Sequence, residues 1–155
     1  MIRVSIKILF FSLLVIFLSP ISYAATIGIS TISDLVFGKF AAGSGGTVVI
    51  SPAGARSSTG GVVLLSSSTI SAANFHITGD ANLVFSITLP NNGDVNLSSG
   101  GQSMPVTNFT VSPASPAALD STGNKIIAVG GALTVDSGKQ SGDYNGAFNI
   151  TVNYQ

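Results

Sequence analysis

Cysteine and tryptophan are missing from the 155 residues, glutamate does not occur, and histidine occurs once, at position 76. Without thiols no disulfide can staple the fold, and thiolate metal sites and cysteine nucleophiles are excluded. Stability must come from packing and backbone pairing. Charged residues make up 8% of the chain. Beyond residue 24 the basic set is Lys39, Arg56, Lys125 and Lys139, against Asp34, Asp80, Asp94, Asp120, Asp136 and Asp143. A nucleic-acid partner needs a basic patch to displace counterions from phosphates, and this composition argues against one. With no tryptophan and three tyrosines, there are few aromatic platforms for stacking a sugar ring. The surface is left to Ser, Thr, Asn and Gly, which suits an extracellular protein packed among neighbours.

The one strongly apolar run lies at the start. Arg3 and Lys7 precede "ILFFSLLVIFL" (8 to 18), and "SYA" (22 to 24) puts small residues where a signal peptidase reads them. The pattern is that of a secretory signal peptide, residues 1–24, cut between Ala24 and Ala25. The apolar core is too short to span hydrocarbon, which takes about 20 residues. No other segment can cross a bilayer, so no membrane span is expected after cleavage.

In the remainder, apolar residues recur at spacing two and Gly, Ser, Asn and Pro punctuate them every few residues. The class is all-β. Strands are expected near 26–37, 46–51, 60–66, 72–78, 83–89, 103–111, 125–128, 131–136 and 143–154. "TGD" (78 to 80), "PNNGD" (90 to 94) and "SSGG" (98 to 101) read as hairpin connections. The longer "SPASPAALDSTGN" (112 to 124) reads as a surface loop or a crossing between sheets, with room for a helical turn at "PAALD". Many short strands at close spacing suggest a small barrel or, preferably, an immunoglobulin-like two-sheet β-sandwich.

Chemistry is sparse. His76, in "ANFHIT", stands opposite the apolar Phe75 and Ile77 and is expected on the outer, solvated face. No nucleophile-elbow pattern surrounds any serine, so a Ser-His-Asp hydrolase is the third-ranked reading and no enzyme is expected. The Asp and Asn clusters at 79–82, 91–94 and 120–124 offer oxygen ligands without the spacing of a calcium loop, and turns use the same residues. "GSGGT" (43 to 47) lacks the Lys-Ser/Thr and the helix of a phosphate cradle. No metal or cofactor is expected. The sequons at Asn96, Asn108 and Asn149 fit chance in so Asn-, Ser- and Thr-rich a chain.

The most specified segment is "GDYNGAFNITVNYQ" (142 to 155). Tyr144, Gly146, Phe148, Ile150, Val152 and Tyr154 share one face, and the residues between them share the other. A tail that ends in strict alternation with an aromatic at 154 and a glycine at 142 resembles the closing β-strand motif of subunits of bacterial chaperone-usher fimbriae. "DLVFGKF", "GGTVVISPAGARSSTGGVVLL", "FHITGDANLVFSITLP", "MPVTNFT" and "AVGGALTV" together resemble a bacterial secreted, pilin-like domain family of poorly assigned function, over roughly residues 34–155.

The fimbrial resemblance implies a sandwich that lacks a strand and exposes a groove along its core. A periplasmic chaperone fills that groove in transit. At the outer-membrane usher, the N-terminal extension of another copy replaces it, and the fibre grows at the cell surface. Under this resemblance Gly142, Tyr144, Gly146, Phe148, Ile150, Val152 and Tyr154 are the chaperone-binding and groove strand, with the glycines permitting close backbone approach. Residues 25–33 are the candidate donor extension, with Ile27 and Ile29 pointing into a neighbour's groove, and 34–155 is the pilin-like domain. The residues alone leave open that 25–37 form the first strand of a complete sandwich, and that the protein is a self-contained secreted module binding a carbohydrate or host ligand.

Overall fold

The computed structural model describes residues 25–155. The expected leader, residues 1–24 with Ala24, lies outside the described residues. What is described is all β. In chain order the strands are β1 (Gly28–Ser33), β2 (Phe40–Ala41), β3 (Gly46–Ile50), β4 (Arg56–Gly60), β5 (Val63–Leu64), β6 (Ala73–Thr78), β7 (Val84–Thr88), β8 (Val95–Ser99), β9 (Gln102–Ser112), β10 (Ala117–Ala118), β11 (Asn124–Val135) and β12 (Thr151–Tyr154).

The strands form an antiparallel β-sandwich. The larger sheet runs β1-β6-β11-β3-β4, with β9 pairing both β11 and β8, and the facing sheet runs β10-β7-β12. A ribbon of β2 and β5 sits apart from both. Strand β11 is the axle. Along one edge it pairs first with β6, Asn124 opposite Thr78, and then with β3, Val135 opposite Gly46. Its other edge pairs with β9 across a bulge between Gly130 and Ala132. A bulge adds twist, and this one curls the sheet so that its far half turns away from the β6 half.

The sequence predicts two strands around "VGG", but β11 runs through it unbroken. Gly130 is needed for a close approach, since a Cβ there would collide with the Ile50 carbonyl where β3 begins to part from β11. Strands β4 and β8 were not expected. "RSSTG" contains no apolar residue, and in "VNLSS" only Val95 is buried, so neither shows the alternation that marks a half-buried strand. "PAALD" forms no helical turn: Ala117 and Ala118 pair with Phe85 and Val84, and Leu119 enters the core. That segment does cross between sheets, carrying the chain from β9 to β10 in the facing sheet and back to β11.

Two apolar clusters fill the sandwich. One joins Ile77, Phe85, Ile127, Val129 and Val152 between β6, β11 and the facing sheet. The other lies inside the curl, where Val48, Ile50, Met104, Val106 and Leu133 meet. Leu35, Phe109 and Phe148 pack against both.

Candidate functional site

The alternation of the tail is realised in space. Val152 is buried, Tyr144, Phe148, Ile150 and Tyr154 are half-buried, and the odd-numbered residues from Asn145 to Asn153 are exposed. The ladder is nevertheless shorter than the expected 143–154. Thr151 to Tyr154 pair with Thr88 to Phe85 of β7. Asn145 makes an isolated antiparallel bridge to Ser98 at the edge of β8, with N···O distances of 2.8 and 3.1 Å. Residues 146–150 between them belong to no ladder. Gly142 and Gly146 let this stretch run close beside β8: a Cβ on Gly146 would strike the Asn96 carbonyl, and one on Gly142 would lie 2.7 Å from Ser99 Oγ.

The direction of the peptide groups follows from parity. In an antiparallel pair a residue that exchanges both hydrogen bonds with its partner is followed by one whose N–H and C=O point the other way. Asn145 turns both groups to Ser98, and the Gln155 N–H donates to the Val84 carbonyl at 3.1 Å. Asn145 therefore faces β8, and Thr151, Asn153 and Gln155 face β7. Val152 and Tyr154 present their peptide groups to the side away from β7, and Gly146 to Ile150 lie in no ladder on either side. Among the described residues no other segment donates to or accepts from that edge.

Beside this edge lies a cleft of about 1310 Å³. One wall is the segment 31–42, the other is 139–148, and Phe75, Val95, Met104, Val106 and Leu133 from the core form its floor. Phe148 stands at one end with its ring edge-on to Phe75 (centroids 6.2 Å apart, 85° between planes) and tilted against Phe109 (5.2 Å, 37°). At the other end the Lys139 ammonium donates to the Ser103 carbonyl at 2.8 Å and pairs with Asp136 at 3.1 Å. The Tyr144 hydroxyl donates to the Gln140 carbonyl at 2.9 Å. Beyond Phe148 the walls close, with Ile27, Ile150 and Tyr154 packed against the first cluster.

Arg56 builds the wall at 37–39, and the sequence reading missed it. Its guanidinium donates to the Phe37 and Lys39 carbonyls (both 3.2 Å), to Ser68 Oγ (3.1 Å) and to the Leu65 carbonyl (2.8 Å). These partners are carbonyls and a hydroxyl, so the fork works as a fastener between loops. A lone arginine among small residues, in a chain with few charges, was the available signal.

The candidate donor residues lie in and beside β1. Ile27 is half-buried against the first cluster, while Ile29, on the same face and opposite Ile77, is 43% exposed. In this chain residues 28–33 are an edge strand on β6, and Ala25 is exposed. An inward-facing isoleucine that remains exposed marks where the facing sheet does not reach over β1.

His76 occupies the outer face of β6, as its neighbours in sequence suggest, with Nε2 2.9 Å from Asn124 Oδ1. It shares a shallow hollow with Asp120, Lys125 and Ile126. The Asp120 carboxylate is engaged elsewhere: it accepts from the Thr122 hydroxyl (2.7 Å) and from the Asn124 and Thr122 N–H groups (3.0 and 2.8 Å). Those bonds, the hydroxyl first, hold its pKa below the ordinary value of 3.8. This is the geometry of a turn. Among the described residues no cluster of three or more His, Asp or similar ligands could hold a metal ion.

A family model described as a domain of unknown function, DUF4402, matches residues 27–154. The match takes in most of the chain, which therefore belongs to that family. The comparisons with curated proteins and with solved structures give no match.

Proposed function

We propose that this DUF4402 protein is a structural subunit of a bacterial surface fibre, exported to the periplasm and polymerised by donor-strand exchange. The observation that carries the reading is the cleft between the first and last strand segments, floored by core residues and flanked by a row of unpaired peptide groups. Such a slot fits β-strand addition, in which main-chain hydrogen bonds supply affinity and alternate side chains entering the floor supply register. A periplasmic chaperone is the partner in transit, an outer-membrane usher the site of exchange, and a further copy the final partner. Each Val, Leu, Ile or Phe side chain that an incoming strand buries contributes about 1.5–3 kcal/mol, so a few of them rival the stability of a small domain.

The test is made on the full chain in its own cell. Surface material should run as SDS-resistant, heat-sensitive ladders, and deleting residues 25–33 should abolish them while leaving export intact. A mature protein that purifies as a stable monomer, with melting temperature and assembly indifferent to that deletion, overturns the proposal. That outcome returns the protein to a self-contained secreted sandwich.

A further inference from the structure

The phenol of Tyr154 does something that its place in the alternation does not require. From Gly28 to Thr31, strand β1 pairs with β6 in one register, Gly28 opposite Thr78 and Ser30 opposite His76. Carried two residues outward, this register sets Thr26 opposite Asp80. Those two do not complete the ladder with a direct bond. The Tyr154 oxygen, reaching across from the facing sheet, accepts from the Asp80 N–H at 2.7 Å and donates to the Thr26 carbonyl at 3.1 Å. The hydroxyl stands in for the next rung of a ladder in the other sheet. Gly79 keeps the space open, because a Cβ there would run into the phenol oxygen and come within 3.1 Å of the Thr26 carbonyl.

Apart from Ile27, half-buried against the first cluster, strand β1 has little else to hold this end. From Ile29 to Ile32 its residues are all exposed, with Ile29 at 43% and Ile32 at 56%. Its other end is fastened by side chains: Ser33 Oγ donates to the Ala72 carbonyl (3.1 Å) and accepts from the Asn74 amide (2.8 Å), beside a register shift between Thr31 and Ser33. An edge strand with few buried apolar contacts and a catch at each end opens by local unfolding well below the global barrier.

We propose that Tyr154 is a latch. Its hydroxyl holds the start of β1 on the chain's own sheet and closes the Tyr154 end of the groove, so that releasing it frees β1 and uncovers the edge from Phe148 to Tyr154 together. Resting on the fibre reading, this makes Tyr154 a positioning residue that governs when the first strand becomes available to a second copy.

Amide hydrogen exchange on the full mature chain tests it. Tyr154→Phe removes both hydrogen bonds and keeps the ring. Exchange of the protected amides within 28–31, those of Gly28 and Ser30 that face β6, should accelerate about thirtyfold, the effect of two ordinary hydrogen bonds, while residues 127–133 of β11 keep their rates. Gly79→Ala, which sets a methyl against the hydroxyl and leaves residue 154 a tyrosine, should do the same. Ser86→Ala, which removes the 3.2 Å bond to the Asn153 carbonyl on the same strand pair, should leave 28–31 unchanged. Rates at 28–31 within a factor of two of the parent in Tyr154→Phe would mean that Thr26 and Asp80 pair without the phenol, and the latch is wrong. If β1 exchanges faster in the variants and no fibres form from any of the proteins, the latch stands and the fibre reading falls.

Discussion

Phe148 is where the tail, the groove and both core clusters meet, so truncating it asks whether they form one packing unit. A Phe→Ala change in a closed core costs about 3–5 kcal/mol. Phe148 is half-buried and borders the cleft, so the space left behind opens to water and the transfer loss is roughly halved. The aromatic contacts with Phe75 and Phe109 are largely inside that figure and add about 0.5 kcal/mol together. The expected loss for Phe148→Ala is about 2–3 kcal/mol, a large share of the 5–15 kcal/mol that holds a typical domain. With a urea m-value of about 2 kcal/mol per molar, the midpoint falls by about 1–1.5 M. Far-ultraviolet circular dichroism of residues 25–155 measures this, with exposed Asn149→Ala as the neighbouring control, expected to change little. Phe148→Leu should recover more than half of the loss. A midpoint for Phe148→Ala within about 0.2 M of the parent at unchanged m would refute the argument, because the tail would then be lying on the core without being packed into it.

Arg56→Lys keeps the charge but cannot span four acceptors, and with partial exposure discounted we expect a loss of about 1–2 kcal/mol, read by the same titration. Exchange should also quicken at residues 37–39. Gly130→Ala drives a methyl into the Ile50 carbonyl and should cost about 3 kcal/mol or more, whereas Gly138→Ala, at a turn with open space and positive φ, should cost about 1 kcal/mol. Asp120 supplies the pH test. Its carboxyl pKa is lowered in the fold, so its contribution is present above the unfolded value and disappears as pH falls through the lower folded one. Asp120→Asn should therefore be less stable than the parent at pH 7, and the gap should close as pH falls through the lowered folded value. A difference that persists undiminished in acid rules out the carboxylate as its source.

The parts of this fold that were legible in sequence are those in which burial alternates. "ANFHIT" gave β6 with His76 outside, because Ala73, Phe75 and Ile77 are all buried. The even-numbered face of the tail was legible for the same reason. What escaped were elements held by backbone pairing alone. Strand β4 carries no apolar side chain and β8 buries only one, so no pattern marked them. The tail showed the complementary limit: alternation predicts which way side chains point, and it says nothing about which peptide groups find partners. Residues 146–150 alternate as cleanly as 151–154, yet only the latter lie in a ladder. The groove was equally out of reach, since a cleft depends on where a curled sheet fails to meet its neighbour. Tyr154 was singled out as an aromatic on the inward face. Its hydroxyl's role depends on Thr26, 128 residues away in sequence, and no local signal links them.

The edges of the two sheets differ in how they are guarded, and this bears on the proposed function. Natural sheets blunt open edges with charge, proline or shortness, because an unpaired strand is a template for another chain. Strand β4 carries Arg56 and has no apolar side chain, and β10 is two residues long with Pro113 and Pro116 just before it. Neither β1 nor the stretch 145–154 contains a charged residue or a proline. Thr31 and Ser33 of the one and residues 145–148 of the other line the same groove. The outward side chains of these edges are mostly polar and none is charged, Asn145, Asn149, Thr151 and Asn153 on one strand and Ser30 on the other, with Ala147 and the exposed Ile32 as apolar exceptions, so nothing there repels an approaching backbone. A compact ligand could fill the floor of the cleft but would leave the peptide groups from Gly146 to Phe148 unpaired. An extended segment with an apolar side chain at every second position satisfies both, and that double demand favours a strand as the occupant over a sugar or another small molecule.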